Sequence, residues 1–277
     1  MEPVLRILSY RLAQLHTVIW HPFATRLKRD FGVEALVVPP AIPLSAYDPT
    51  PLSSNERAKV LRSVGIDPDA FVLFIAGTVY DYSAEYGVFL DALREAQQRT
   101  SRQLTLVLVS GRTQIDVLSE ARRVLDPRSV VVDLGTPPDD VYLSMLKASD
   151  LNCAPGVPDD FNRYRLPSRL VKAMGLGKAI FTFKVGFGES LEHGHNAFLT
   201  ETDDSHEWAE VLLSAMDQEK LRLVGQNARH FAEQHFDAAK SAVALLERLR
   251  ELAKRSPPLS EVFVPSVIDQ GSNHHAT

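Results

Sequence analysis

From residue 71 onward, nearly continuous apolar runs alternate with amphipathic stretches. The runs are rich in β-branched residues, which is typical of strands buried on both faces. They are "FVLFIAG" (71–77), "LTLVLVSG" (104–111), "SVVVDLG" (129–135), "DLNCAPG" (150–156) and "AIFTF" (179–183). Helices are predicted between them, at 85–98, 114–124, 139–148 and 167–175. This alternation predicts an α/β fold with a doubly wound, Rossmann-like parallel sheet covered by helices on both faces.

The segments on either side of this region have other patterns. Residues 4–29 carry apolar positions at helical spacing, which predicts one helix that packs on a core or, alternatively, lies on a membrane surface. A short strand is predicted at 35–40, and the Pro- and Ser-rich segment 41–60 reads as a linker that turns into a helix. Further helices are predicted near 205–217, 219–235 and 238–254.

Composition and charge narrow the class of protein. At 277 residues and 45% hydrophobic residues, the chain can bury the core of one or two domains. A net charge of −5 gives no electrostatic reason to expect a nucleic-acid partner. The single cysteine, Cys153, excludes an intrachain disulfide and fits a reducing compartment. No apolar run approaches the length of a membrane span, and Arg6 and Arg11 interrupt any signal-peptide core, so a cytoplasmic location is expected.

Polar and glycine residues at the ends of the predicted strands are the first candidates for a site. In a parallel doubly wound sheet, ligands bind outside the carboxyl ends of the strands. That edge holds Gly77 and Thr78 after the first run and Ser110 and Gly111 after the second. We therefore expect these four residues to face a bound ligand.

The stretch "RLPSRLVKAMGLGKAIFTF" (165–183) predicts a helix, a glycine turn and a strand. Its start at Leu166, Pro167 and Ser168 suits a helix N-terminus, whose free N–H groups favour an anion. Arg165, Arg169 and Lys172 fall close to one face of that helix. They form either a phosphate-binding cluster or a solvated basic face. Downstream, Gly186 of "VGFGES" either allows a close backbone approach to a ligand or forms an ordinary tight turn.

In this order, the motifs resemble the C-terminal, donor-binding half of the GT-B glycosyltransferases of family 4, the group 1 family. The resemblance runs across residues 17–255. It rests on "LFIAGTVYDYSAEYGVFLDALREA", "LVLVSG", "VVDLGTPPDDVYLSMLKASDLNCAP" and "LPSRLVKAMGLGKAIFTFKVGFGESLEHGHNAFLTETDD". It implies a site for a nucleotide-diphosphate sugar, with Glu189 in the place of a family glutamate beside the sugar. An ordinary first-turn glutamate is the alternative for Glu189.

Several charged positions depart from the family pattern. The family's paired glutamates, eight positions apart, fall on Tyr164 and Lys172, and an ammonium cannot accept the ribose hydrogen bonds. The family's diphosphate-binding Arg and Lys fall on Thr78 and Tyr86. The cluster at Arg165, Arg169 and Lys172 is one hypothesis for where the missing positive charge has moved.

The resemblance also implies how the chain is divided. We interpret residues 1–45 as a remnant of the N-terminal domain with its linker and 46–236 as the Rossmann-like donor-binding domain. Residues 237–255 would form a C-terminal amphipathic helix, and 256–277 are expected to be disordered or to dock weakly.

Two functions from different classes follow. The first is a glycosyltransferase that transfers a sugar from a nucleotide-diphosphate sugar to an unidentified acceptor, with retention. The second is a non-catalytic paralogue that binds a transferase or a glycan, which the missing glutamates favour. An epimerase of the same architecture is a third reading with no residue set behind it.

The same resemblance indicates which partners and cofactors to expect. The nucleotide sugar is a donor substrate, and no cofactor or metal is expected, since "HGH" (193–195) has no accompanying carboxylate or thiol set. Expected partners are a separate chain carrying the N-terminal domain or a second copy of this chain, with at most peripheral membrane contact.

Overall fold

The computed structural model of the protein describes residues 12–77, 84–109 and 115–255. Its centre is a six-stranded sheet in which every neighbouring pair of strands is parallel. The strands of the described residues are β1 (Thr17–Val18), β2 (Leu36–Val37), β3 (Phe71–Ala76), β4 (Leu104–Val109), β5 (Val130–Asp133), β6 (Leu151–Ala154), β7 (Ala179–Phe183) and β8 (Phe198–Thr200).

Helices connect the strands. They are α1 (His21–Phe31), α2 (Ser54–Ser63), α3 (Ala84–Arg99), α4 (Ile115–Val124), α5 (Asp139–Ala148), α6 (Asp160–Tyr164), α7 (Ser168–Gly175), α8 (Ser205–Ser214), α9 (Gln218–His235) and α10 (Ala238–Arg255), with 3-10 helices at Leu44–Ala46 and Gly186–Ser190. None of the described helices is long and apolar enough to cross a membrane.

The strand order of the large sheet is β5-β4-β3-β6-β7-β8. The chain winds outward from β3 in one direction and then from β6 in the other, so the order reverses between these two central strands. Doubly wound sheets bind ligands at that reversal, at the carboxyl ends of the strands. The predicted fold class is confirmed.

Alternate residues of β3 pack into different cores, which shows that both faces of the sheet are covered. Phe71, Leu73 and Ile75 join the cluster that includes Phe89 of α3 and Trp208 of α8. Residues 72, 74 and 76 join the cluster on the other face, with helices α2, α7 and α9. This two-sided burial explains why the strands carry near-continuous apolar runs.

The prediction of one helix over 4–29 is wrong for its described part. Residues 13–16 are not helical, Thr17–Val18 forms a strand that pairs in parallel with Leu36–Val37, and α1 begins at His21. The helix starts there because Pro22 is favoured only in a first helical turn, and the β-branched residues before it suit a strand. Residues 1–11 lie outside the described part.

The segment before the sheet joins the same core as the sheet. Trp20 packs against Phe187 and Phe236, with ring centroids 5.6 Å apart in both pairs. Ile42 and Leu44 are buried in that cluster as well. The described residues before and after residue 45 thus share one core, and the division at 45 stays a prediction. The predicted 238–254 helix is present as α10. The predicted tail, 256–277, lies outside the described residues.

Candidate functional site

A cavity of about 420 Å³ opens at the carboxyl ends of β3 and β4, beside the first turn of α7. This is the sheet edge that the sequence singled out. Its lining residues are Ala76, Gly77, Val109, Tyr142, Arg165, Leu166, Pro167, Ser168, Arg169 and Lys172. The cavity thus combines an apolar floor from the strand ends with a cationic wall from α7 and the residues before it.

The N-terminus of α7 has no side-chain cap. Pro167 is the N-cap residue and has no hydroxyl or carboxylate to accept the first N–H groups. The Leu170 N–H turns back to the Pro167 carbonyl at 2.9 Å. Since the positive end of the helix dipole faces the cavity here, an anion at this position gains both hydrogen bonds and electrostatic stabilisation.

Three cationic side chains lie on the same wall. The Arg165 guanidinium stands 4.9 Å from the centroid of the Phe161 ring, and Lys172 Nζ stands 5.4 Å from that of Tyr142. Among the described residues that line the cavity there is no carboxylate. The described lining therefore carries three cationic side chains and no acidic one.

Arg169 is the most deeply placed of the three cations. Its Nε is buried and has no hydrogen-bond partner among the described residues. Burial, followed by the repulsion of Arg165, lowers the pKa of Arg169 to about 10. The side chain stays protonated at neutral pH, but its buried Nε has no acceptor in the described part of the chain, which is costly unless a ligand supplies one.

Gly77 creates the space that Arg169 occupies. Its φ of 105° lies in a region that side-chain-bearing residues rarely adopt. A Cβ at this position would lie 2.7 Å from Arg169 Nη1. The glycine thus brings the backbone at the end of β3 against the guanidinium.

Tyr142 of α5 also lines the cavity. Its ring packs on Phe74 with centroids 5.8 Å apart. Burial and the neighbouring Tyr47 raise the pKa of Tyr142 to about 12. The hydroxyl therefore remains protonated and can donate a hydrogen bond to an anion.

The structure brings together six of the predicted site residues: Gly77, Arg165, Leu166, Pro167, Ser168 and Lys172. Thr78, Ser110 and Gly111 lie outside the described residues. Tyr142 and Val109 also line the cavity and were not predicted, since nothing in their local sequence marks them. Arg169, by contrast, was marked by its helical spacing from Arg165 and Lys172.

Gly186 and Glu189 lie apart from this cavity, in the 3-10 helix after β7. A Cβ on Gly186 would meet the Asn162 carbonyl oxygen at 2.6 Å and would also overlap that of Arg163. Packing against α6 therefore explains this glycine without a ligand. Glu189 is exposed and does not line the cavity.

The two tyrosines at departing family positions contribute packing. Tyr164 stacks near Phe23 of α1, with centroids 6.1 Å apart, and Arg26 stands 4.6 Å from its ring. Tyr86 is buried in the core on the α3 side of the sheet. Neither side chain lines the cavity.

The remaining candidate residues have structural roles. Cys153 is buried in β6, and burial raises the pKa of its thiol far above its ordinary value, so it is unreactive. His193 Nδ1 lies 3.1 Å from the backbone nitrogen of Leu199. Within the described ranges, no group of three or more His, Cys, Asp or Glu side chains is placed to hold a metal ion.

Comparison with known proteins agrees with this architecture. Residues 70–218, more than half of the chain, match the family model described as "Glycosyl transferases group 1". No curated protein matches the chain significantly. Among solved structures, HepE from Anabaena in complex with UDP-glucose superimposes with a TM-score of 0.71 and 23% identity.

Two further structures show the same fold. Sucrose-phosphate synthase from Thermosynechococcus elongatus superimposes with a TM-score of 0.69 at 17% identity, covering 91% of this chain and 62% of its own. The C-terminal domain of LpcC, a group 1 protein from Francisella tularensis, gives 0.57 at 14% identity, covering 71% of this chain and 99% of its own. The match to HepE covers 88% of this chain and 65% of HepE, so the chain spans less than two thirds of that protein.

Proposed function

The chain belongs to the group 1 glycosyl transferases, and from this premise we propose that its cation-lined cavity binds the diphosphate of a nucleotide-diphosphate sugar. The protein then acts as the donor-binding part of a transferase that moves the sugar to an acceptor with retention. HepE, which has the same fold, was solved with UDP-glucose and with UDP and glucose. That supports this class of donor.

The observation that carries the proposal is Arg169, whose buried Nε has no hydrogen-bond partner among the described residues, beside an uncapped helix terminus. A diphosphate would accept from the Arg169 guanidinium and from the first N–H groups of α7. It would thereby remove two desolvation costs at once. Two further cations, Arg165 and Lys172, stand on the same wall.

In the proposed reaction, the bond between the sugar C1 and the diphosphate oxygen breaks, the acceptor oxygen bonds to C1, and the acceptor proton passes to the departing diphosphate. The departing diphosphate gains charge, which the α7 terminus and its cations stabilise. The relocated cations make a metal ion unnecessary in this proposal. The acceptor surface is assigned to a second α/β domain, carried on a separate chain or elsewhere, and the single cysteine fits a cytoplasmic location.

Lys172 takes a phosphate-binding role in this proposal. Its ammonium has three donors and no acceptor, so it cannot hold ribose hydroxyls as a glutamate would. Nucleotide selection then depends on the ribose far less than on the diphosphate. We therefore expect different nucleoside diphosphates to bind with similar affinity.

Calorimetric titration with UDP tests the diphosphate site. Replacing Arg169 by Gln removes the buried charge, and we expect UDP affinity to fall about tenfold or more. The matched control is Arg163→Gln, because Arg163 is exposed on α6 and does not line the cavity. Equal affinities of wild type and Arg169→Gln would sink the proposal.

The second candidate is a non-catalytic binding protein. It is favoured by the same cavity, whose described lining has no carboxylate. A donor-hydrolysis assay and a transfer assay, run on the chain with any copurifying domain, separate the two functions. UDP binding without turnover in either assay would favour the binding protein.

A further inference from the structure

A second and larger cavity lies at the amino ends of the strands, on the opposite side of the sheet from the first cavity. Its volume is about 740 Å³, and it opens where β6 and β7 begin, at Asp150 and Lys178. Helix α9 and the segment 49–52 form its walls. It is separate from the donor cavity, which lies at the carboxyl ends of the strands.

Positive charge dominates this cavity. Its lining holds six cationic side chains and a single carboxylate, that of Asp150. Asp150 is already engaged, since its Oδ2 accepts from the Val72 N–H at 2.8 Å and from Arg57 Nη2 at 2.7 Å. The carboxylate therefore has little capacity left to neutralise the other cations.

Some of the cations hold the walls together. Arg57 also donates to the Ala148 carbonyl at 3.1 Å, and Arg229 of α9 donates to Glu233 at 2.7 Å and to the Tyr47 carbonyl at 2.9 Å. Lys147 pairs with Asp48 at 3.1 Å. Arg102 donates to the Asp69 and Ala70 carbonyls at 2.9 and 3.2 Å, so four of the six cations have structural contacts.

Lys178 is different, because no hydrogen bond or ion pair engages its ammonium within the described part of the chain. The backbone on both sides of Lys178 packs closely against α9. A Cβ on Gly225 of α9 would overlap the Gly177 carbonyl oxygen and lie 3.1 Å from the Ala179 nitrogen. Burial lowers the pKa of Lys178 to about 8, with Asp150 acting in the opposite direction and Arg57 and Lys147 in the same one. Arg222 of α9 also lines the cavity. Its Nη1 donates to the side-chain amide oxygen of Gln226, a neutral acceptor, at 3.0 Å.

An apolar surface lies beside these cations. Leu176 and Leu221 are buried side chains that line the cavity, and Leu52 lines its outer wall. A cavity of this size encloses a small organic molecule, and its few charged groups fix the orientation of that molecule. The fitting ligand has an apolar body and an anionic end.

We propose that this cavity binds an organic phosphate or carboxylate, with its anionic group on Lys178 and Arg222 and its apolar body against Leu52, Leu176 and Leu221. The anion supplies the acceptor that Lys178 lacks. The ligand is either a free metabolite or the headgroup of an anionic lipid, which share this chemistry.

Calorimetry with phenyl phosphate, against benzyl alcohol as the neutral analogue, tests the proposal on the full chain. Phenyl phosphate is expected to bind, and Lys178→Met is expected to weaken it about tenfold or more, because the substitution keeps the stem and removes the charge. Lys178→Arg should restore binding. Lys59→Met is the matched control, since Lys59 is exposed on α2 and does not line the cavity.

Further arms make the outcome decisive. Arg222→Gln replaces Lys178→Met if the latter does not fold, and UDP affinity of either variant alone should be unchanged. Flotation with phosphatidylcholine vesicles, with and without phosphatidic acid, assigns the source: binding to phosphatidic acid alone indicates a lipid headgroup. The proposal would be overturned if Arg169→Gln, and not Lys178→Met, weakened the binding of phenyl phosphate. It would also be overturned if neither phenyl phosphate nor vesicles with phosphatidic acid bound to the protein.

Discussion

Arg169 and Lys178 are largely covered cations that make no ion pair within the described ranges. Their surroundings differ: Arg169 faces the carboxyl edge of the sheet, and Lys178 faces the amino edge. Burial lowers the pKa of each side chain. A protein that retains such groups loses stability at those positions, and a ligand of opposite charge recovers it.

The free-energy cost of burying the charged Lys178 can be measured from the pH dependence of stability. Its pKa is about 8 in the folded protein and 10.5 in its ordinary state, so the unfolded chain binds more protons between these values. The penalty is complete below about pH 8 and disappears as pH rises through 10.5. We expect Lys178→Met to raise the free energy of unfolding near neutral pH by about 2 kcal/mol.

Urea denaturation of wild type and Lys178→Met at a series of pH values gives the result. The stability difference should shrink steadily across the window between the two pKa values. A difference that is constant with pH would show that the substitution acts through packing and not through the charge.

At the scale of elements, the 3-10 helix Gly186–Ser190 shows how one glycine pattern can serve packing. Gly186 has a φ of 59°, and a side chain there would meet the backbone of α6. We expect Gly186→Ala to lower the free energy of unfolding by about 2–4 kcal/mol through strain and overlap. UDP affinity of the folded variant should stay unchanged.

Thermal and chemical denaturation with parallel UDP titration check this expectation. Gly87→Ala is a suitable control, because Gly87 is an exposed helical residue with no atom within 4 Å of a built Cβ. That variant should be as stable as wild type or slightly more stable. A loss of UDP affinity in Gly186→Ala without loss of stability would return Gly186 to the donor site.

The elements that the sequence predicted well are those with long apolar runs. The strand at 71–77 was readable because every side chain from Phe71 to Ala76 is buried. The strand Phe198–Thr200 was missed, since three residues are too short to show a period. The prediction of one helix over 4–29 was wrong for its described part, because it gave the apolar spacing more weight than Pro22, which marks a helix start.

The candidate site was predictable where one continuous segment builds it. Arg165, Ser168 and Lys172 lie within eight residues of one another, in and just before one helix, so the chain order alone brings them together. The depth of Arg169 was not readable, since it depends on the backbone of Gly77, far away in sequence. The second cavity gave no signal, because α9 and the loops before β6 and β7 meet there only in the folded protein.

At the scale of the whole molecule, the two cavities lie at opposite ends of the sheet, and one short helix reaches both. The first turn of α7 carries Ser168 and Arg169 in the donor cavity, and Leu176 and Gly177, just beyond its last turn, line the other. Eight residues of helix span about 12 Å. A displacement of α7 along its axis therefore changes both linings together.

Because one helix lines both cavities, we predict that the two sites are thermodynamically linked. If phenyl phosphate changes UDP affinity by some factor, UDP must change phenyl phosphate affinity by the same factor. We expect a factor of about five or more, measured by titrating each ligand in the presence of saturating amounts of the other. Factors of one in both directions would show that α7 stays in place when either ligand binds. With factors above one, a ligand in the second cavity would change how much donor is bound without competing for the donor site.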